Sequence, residues 1–266
     1  MSEGKKEILL GDCLELMKDI PNGSIDMILC DLPYGTTACK WDTIIPFDKL
    51  WEQYERIIKP NGAIVLFGAE PFTSTLRFSN LKAYKYEWYW KKNIPSGFQI
   101  ASIQPQRCIE NILIFYKKQP TYNKQMRDTI IDYRSVINGN IVNEKKKSEH
   151  NYGTKPQTAE RRNTKGLKVN PVNFLDIKCV PRATGYLHPT QKPVELFEYL
   201  IKTYTNECDL VLDNTAGSGT TAIACLNTNR QFIVMEKEQK YYDIILKRVG
   251  DFNKKFETQT LFGNEM

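Results

Sequence analysis

The feature that most narrows the fold is a set of short, almost wholly apolar runs separated by amphipathic stretches. Residues 25–30, IDMILC, are too apolar for a strand with one wet face, and such runs sit inside parallel sheets covered on both sides. AIVLFG at 63–68 reads the same way, as do the strand-like runs LVLD at 210–213 and QFIVME at 231–236. Between them, PFDKLWEQYERIIKPNG spaces Phe47, Leu50, Trp51, Tyr54, Ile57 and Ile58 as one helix face, stopped by Pro60, Asn61 and Gly62. EPFTSTLRFSN also reads as helical. Thr190 is placed to cap a helix whose buried stripe is Val194, Phe197, Leu200, Ile201 and Tyr204. YKYEWYWKK and ENILIFYKK read as two strands able to pair, with Trp88 and Trp90 on a face expected to pack in the core. The alternation implies an α/β fold: a doubly wound, mostly parallel sheet interrupted by one long insertion.

Composition sets the setting for that fold. At 266 residues with 41% hydrophobic and 11% aromatic residues, the chain is globular and can bury a sizeable core. No apolar run is long enough to cross a bilayer, and MSEGKKEILLGDC lacks the apolar centre of a signal peptide, so a soluble, cytoplasmic protein is expected. Seven scattered cysteines without a C-x-x-C pair, and only two histidines, lead us to expect reduced thiols and no metal site. Cys39 has no histidine nearby in sequence to activate it as a nucleophile. The net charge of +6 is concentrated: Lys117–Lys178 holds 14 Lys or Arg against 6 Asp or Glu, leaving the rest of the chain net negative. Such a run reads as a solvated loop, or as a lobe that meets a polyanion.

Two strand ends carry chemistry. DLPYG, residues 31–35, follows the first buried strand, and ligands of open α/β sheets bind beyond the carboxyl ends of the strands. Asp31 could bind there and Tyr34 could stack, although Pro33 and Gly35 also suit an ordinary βα turn. LVLDNTAGSGTT, residues 210–221, is the more specific signal: Gly217 and Gly219 permit a tight turn before a helix N-terminus with free N–H donors. Asp213 ends that strand and Glu236 ends the next. A dinucleotide would favour a third glycine where Thr220, Thr221 and Ala222 stand, and an acid sits badly with a pyrophosphate. S-adenosylmethionine carries an ammonium, a sulfonium and a ribose, so acids suit it, and it is the expected cofactor.

With GDCLELMKDIPNGSIDMILCDLPYG, HPTQKPVEL and DNTAGSGTT in that order, the chain resembles the β-class, circularly permuted amino-methyltransferases of DNA. Their catalytic motif is Asp-Pro-Pro-Tyr, and DLPYG departs from it only at Leu32. The resemblance covers residues 7 to about 118 and 180 to about 250. It implies that Asp31 and the Leu32 carbonyl accept hydrogen bonds from the two protons of a target amine, within a catalytic loop that Pro33 completes. Tyr34 would stack on a base flipped from the duplex. Leu32 in place of proline would loosen the loop.

For the cofactor, the resemblance implies Asp213, Thr215, Thr220 and the Gly217 and Gly219 backbone at the methionine end, Glu236 at the ribose and Asp12 at the adenine. Asp31, Thr190 and Lys192 would line the same pocket; a capped helix with a surface lysine is the structural alternative for Thr190 and Lys192. His188 is expected to make a structural hydrogen bond.

The resemblance divides the chain into a catalytic half at 1–118, an inserted target-recognition region at 119–179, a cofactor half at 180–257 and a tail at 258–266. In the insertion Lys145, Lys146, Lys147, Arg161, Arg162 and Lys165 would meet double-stranded DNA, joined by Lys91, with Asn93 and Gly97 close to the base or backbone. An acid at position 31 favours adenine over cytosine. Methylation of cytosine or of RNA, a non-catalytic nucleic-acid-binding protein and a dinucleotide-dependent dehydrogenase remain as alternatives. A cognate restriction endonuclease is a possible partner, either a monomer or a homodimer is compatible with the family, and the tail is expected to dock on the body.

Overall fold

The computed structural model describes residues 5–36, 39, 42–128, 168–181 and 187–262. The chain divides into a unit of Met1–Asn123 with Val172–Met266, and a second unit of Lys124–Pro171. Lys145, Lys146, Lys147, Arg161, Arg162 and Lys165 lie outside the described residues.

In chain order the larger unit contains β1 (Lys6–Leu10), α1 (Cys13–Leu16), β2 (Ile25–Cys30), α2 (Phe47–Ile57), β3 (Ile58–Gly68), α3 (Phe72–Ser79), β4 (Tyr84–Ser96) and β5 (Arg107–Phe115). Two short strands of the second unit, β6 (Arg127–Asp128) and β7 (Lys168–Val169), pair antiparallel, with an ion pair of 2.8 Å between Lys168 and Asp128. The larger unit resumes with β8 (Phe174–Leu175), α4 (Val194–Tyr204), β9 (Leu210–Asp213), α5 (Thr220–Asn227), β10 (Gln231–Glu236) and α6 (Gln239–Phe262).

Eight strands form one sheet in the order β1-β10-β9-β2-β3-β5-β4-β8. The pairings from β1 to β3 are parallel, and only β5 runs against its neighbours. The expected hairpin of the two aromatic runs is therefore β4 on β5, with Trp88 opposite Ile112. IDMILC is covered on both faces, as its composition requires. Met27 and Leu29 pack with Leu196, Phe197 and Leu200 of α4, while Ile28 and Cys30 pack with Leu50, Trp51 and Tyr54 of α2 and Phe72 of α3. Trp88 and Trp90 are both buried, and their indole N–H groups donate to the Tyr204 hydroxyl (2.7 Å) and the Ile177 carbonyl (2.8 Å).

One expected cap is absent. Pro193, not Thr190, stands at the N-cap of α4, because Thr190 is turned back upon His188 and its hydroxyl lies 3.1 Å from Nδ1. The fixed φ of proline suits that position, where no N–H is missed.

Candidate active site

From β2 the chain runs outward to β3, and from β9 outward to β10, so the order of strands reverses between β9 and β2. A ligand crevice is expected at the carboxyl ends of such a pair. Both chemical motifs end there. Thr215, just past β9, donates its hydroxyl to the Asp31 carbonyl at 3.2 Å, bringing together residues 184 positions apart in sequence. Beneath them, Asn214 Oδ1 accepts from Cys30 Sγ (2.8 Å) and from the Tyr54 hydroxyl (2.5 Å), fastening the two strand ends through a buried polar knot.

A cavity of about 910 Å³ opens at this point, lined among others by Asp12, Asp31, Tyr34, Lys192, Asp213 and Glu236. That volume is at the upper end of the roughly 300–1,000 Å³ of small-molecule sites. Leu32, Pro33, Thr190, Thr215, Gly217 and Thr220 also line it. Gly219 does not. Its φ is +78°, its N–H donates to the Ala216 carbonyl at 2.8 Å, and a Cβ there would come within 2.9 Å of Ile245 on α6. This glycine turns the chain against a helix, between Ser218 and Thr220, which line the cavity. Gly217 faces the cavity, with φ +53° and the His188 ring 3.5 Å from where a Cβ would stand.

Asp31 sits at the centre of a charged network. Its Oδ1 accepts the Tyr34 hydroxyl at 2.7 Å and its Oδ2 accepts Lys192 Nζ at 2.6 Å. Lys192 also lies 3.2 Å from Glu110 Oε2, and Glu110 Oε1 accepts Lys92 Nζ at 2.9 Å. Burial would depress the Lys192 ammonium, but the charges of Asp31 and Glu110 outweigh it and hold the pKa above the usual lysine range. The surface-lysine alternative is thereby overturned, since this residue is 7% exposed. The Asp31 carboxyl is raised from its ordinary value by burial, with Lys192 opposing and Glu110 reinforcing. Burial and then the charges of Asp31 and Glu110 hold the Tyr34 phenol far above its ordinary value, so it remains a donor. One face of its ring is stacked on Phe72 at 4.8 Å between centroids.

The loop after Asp31 is tied down rather than loose. Leu32 is 4% exposed and belongs to the α2 side of the core, and the Asp42 carboxylate accepts the N–H groups of Gly35 and Thr36, both at 2.9 Å. Leucine thus supplies by packing what proline would have supplied by a fixed φ.

On the other wall, Asp213 accepts the Thr215 N–H (3.0 Å) and the Thr221 hydroxyl, and burial pushes its carboxyl up to about 7. Glu236 accepts the N–H groups of Gly217 and Glu238, one on each oxygen at 2.8 Å, with the Lys237 N–H also directed at the carboxylate. Asp12 caps α1 through the Leu14 N–H and lies 3.4 Å from Lys237. His188 packs against Tyr241 at 4.3 Å, and burial with the nearby lysine charges pushes it down to about 4. It is therefore neutral near pH 7, in keeping with a structural role. This donor set fits a cationic ligand with a diol: eight acids line the cavity against four Lys or Arg, Asp12, Asp213 and Glu236 among them, beside Gly217.

The expected nucleic-acid contacts outside the insertion divide. Lys91 is exposed and 3.3 Å from Asp176, and Asn93 Oδ1 accepts the Cys179 N–H at 2.7 Å. Among the described residues no group of His, Cys, Asp and Glu could hold a metal ion, and no helix is long and apolar enough to cross a membrane. Sequence reasoning missed Glu110, Lys92, Asp42 and Asn214. The signal for Glu110 was a charge at the start of ENILIF, opposite Trp90 across the ladder.

The family model described as DNA methylase matches residues 25–247. The chain is 27% identical over 267 residues to the Type II methyltransferase M.HpaI of Haemophilus parainfluenzae, covering 93% of this chain and 76% of that protein. It is 26% identical over 264 residues to the DNA adenine methyltransferase YhdJ of Escherichia coli (strain K12), covering 92% and 82%. The fold matches the crystal structure of an M1.HpyAVI–SAM complex with a TM-score of 0.58 at 24% identity, covering 91% of this chain and 98% of that one.

Proposed function

The chain belongs to the DNA methylase family, and we propose from that premise that it methylates the exocyclic amine of adenine in duplex DNA, with S-adenosylmethionine as donor. The observation that carries this reading is the hydrogen bond from the Thr215 hydroxyl to the Asp31 carbonyl, which joins the DLPYG loop to the acid-bearing glycine loop at one cavity. An acid at position 31 and the name of the relative YhdJ both favour adenine.

S-adenosylmethionine, when bound, supplies an electrophilic methyl group; Asp213, Thr215, Gly217, Thr220, Glu236 and Asp12 are the residues to hold it. The remaining work falls to the catalytic loop. Each Asp31 oxygen keeps a second lone pair beside the one used by Tyr34 or Lys192, so the carboxylate can accept one N–H of the amine while the Leu32 carbonyl accepts the other. Those two acceptors fix the direction of the nitrogen lone pair, and orientation of this kind removes much of a transfer barrier. After transfer the nitrogen carries an excess proton. Asp31, whose affinity for protons is raised by burial, is placed to take it. Lys192 keeps that acid ionised beforehand, and Glu110 and Lys92 hold Lys192 in place.

We further infer that the Lys124–Pro171 unit meets the phosphates, through the six basic residues named above, and that the protein acts in the cytoplasm. The test is incubation with labelled S-adenosylmethionine and mixed-sequence duplex DNA, followed by digestion to nucleosides. Methyladenine that disappears with Asp31→Ala supports the reading. Methylcytosine would overturn the choice of base, and label in RNA alone would overturn the polymer.

A further inference from the structure

Beyond Glu110 and Trp90 the strands β4 and β5 leave their outer neighbours and, among the described residues, pair only with each other. Their ladder is irregular: Lys92 to Pro95 stand opposite Cys108 alone, between the pairs Lys91 with Ile109 and Ser96 with Arg107. A bulge of this kind re-aims the strands. It delivers Ile94, Pro95 and Ser96 to the mouth of the cavity that holds Asp31.

At the tip, Gly97 with φ +89° turns the chain into one 3₁₀ turn, Phe98–Ile100, closed by Ala101 N–H on the Phe98 carbonyl at 3.2 Å. The Ile103 N–H continues it onto the Ile100 carbonyl at 3.1 Å. The tip is thus a hydrogen-bonded object, and it presents Phe98 and Ile103 to water, each 81% exposed. Phe98 lines the cavity mouth; Arg107 and Lys91, both exposed, bring positive charge to the same hairpin. Folding gives no reason to hold an aromatic ring in solvent beside a reaction site.

We propose that this hairpin enters duplex DNA and that Phe98 fills the gap left in the base stack when the target base swings into the cavity. This rests on the DNA-methylating reading above. Extruding a base costs a few kcal/mol of lost stacking and pairing. Apolar side chains, phenylalanine among them, serve as wedges at such unstacked steps. An aromatic ring at the rim of the receiving cavity, flanked by cations for the phosphates, meets both needs at once.

The experiment compares full-length wild type with Phe98→Ala on two duplexes carrying a site that the wild type methylates. One duplex is fully paired and the other has a mismatch opposite the target base, which lowers the cost of extrusion. On the paired duplex kcat/KM is expected to fall about tenfold or more, consistent with a few kcal/mol of unstacking. On the mismatched one the deficit shrinks to within about threefold. Phe98→Trp, which keeps a ring, restores most of the rate, and Phe78→Ala, at a similarly exposed phenylalanine that does not line the cavity, leaves it unchanged. Equal rates for Phe98→Ala and wild type on both duplexes would overturn the wedge and leave the methylating activity intact. An equal loss on both would overturn it too, since stack filling must respond to the mismatch. Failure of the wild type to methylate any DNA would overturn both readings.

Discussion

Lys192→Met and Glu110→Gln are expected to move the acid limb of the methylation rate in opposite directions. Lys192 serves Asp31 at 2.6 Å and Glu110 at 3.2 Å, and its side chain is 8% exposed. Without it, Glu110 still has Lys92 at 2.9 Å, but Asp31 is left with the Tyr34 hydroxyl. Removing one partner of a buried pair costs about 3–5 kcal/mol. Because Asp31 can relieve its isolation by taking up a proton, the lower figure applies, about 3 kcal/mol. At about 2–4 °C per kcal/mol for a chain of this size, Tm falls by about 6–12 °C. If the same amount is lost from the transition state, the rate near neutral pH falls about 10²-fold. The direction with pH follows from the charges around Asp31: burial raises its pKa, Lys192 is the strongest influence holding it down, and Glu110 raises it further. In the proposed mechanism only the ionised carboxylate accepts the amine. Lys192→Met therefore carries the acid limb to higher pH, and Glu110→Gln, which removes a like charge, carries it lower. Single-turnover methylation across pH, beside thermal unfolding of each variant, measures both. Limbs that move the same way, or a Lys192→Met limb that stays in place, would refute the network as the control of Asp31.

Gly219→Ala should destabilise by about 2–4 kcal/mol, combining a left-handed backbone with overpacking on Ile245, read as a fall in Tm. Gly217→Ala, whose new methyl meets His188 at an ordinary 3.5 Å, should cost less stability but weaken cofactor binding, measured by calorimetry. Asp213, pushed up to about 7 by burial, is partly protonated below neutrality, so affinity for the cationic cofactor should rise with pH through about 7 and then flatten. Its folded pKa lies above the unfolded 3.8, so the native state holds the extra proton; stability contributed by this group declines as pH rises from about 4 to about 7. Asp213→Asn should abolish both slopes. Trp88→Phe removes the hydrogen bond to Tyr204 and should cost about 1 kcal/mol without changing the methylation rate.

The sheet was legible because its central strands carry no polar face: the run IDMILC admits one environment, and the α4 and α2 sides of the core supply it. Asp31 and Asp213 were legible because each ends such a strand. What escaped was decided across the sheet. Glu110 reads in sequence as the polar first residue of a strand, and its role appears only when β5 lies beside β4 and Lys192 arrives from the loop before α4. The packing reason for Gly219 was hidden in a related way. Glycine tolerates a close neighbour of any kind, and only α6 reveals that the neighbour is Ile245. Thr190 misled because capping is a local rule, whereas its hydroxyl answers to His188.

Although β1 and β2 follow one another in sequence, two strands from the far end of the chain, β10 and β9, stand between them in the sheet. During synthesis β2, β3, β4 and β5 can pair among themselves as they emerge, but β1 has no partner in the sheet until β10 has left the ribosome. The β2 edge that bears Asp31 waits equally for β9. Such late, long-range closure is slow and leaves strand edges open meanwhile. A ribosome-bound chain that has not passed Glu236 thus has its acid but no complete crevice.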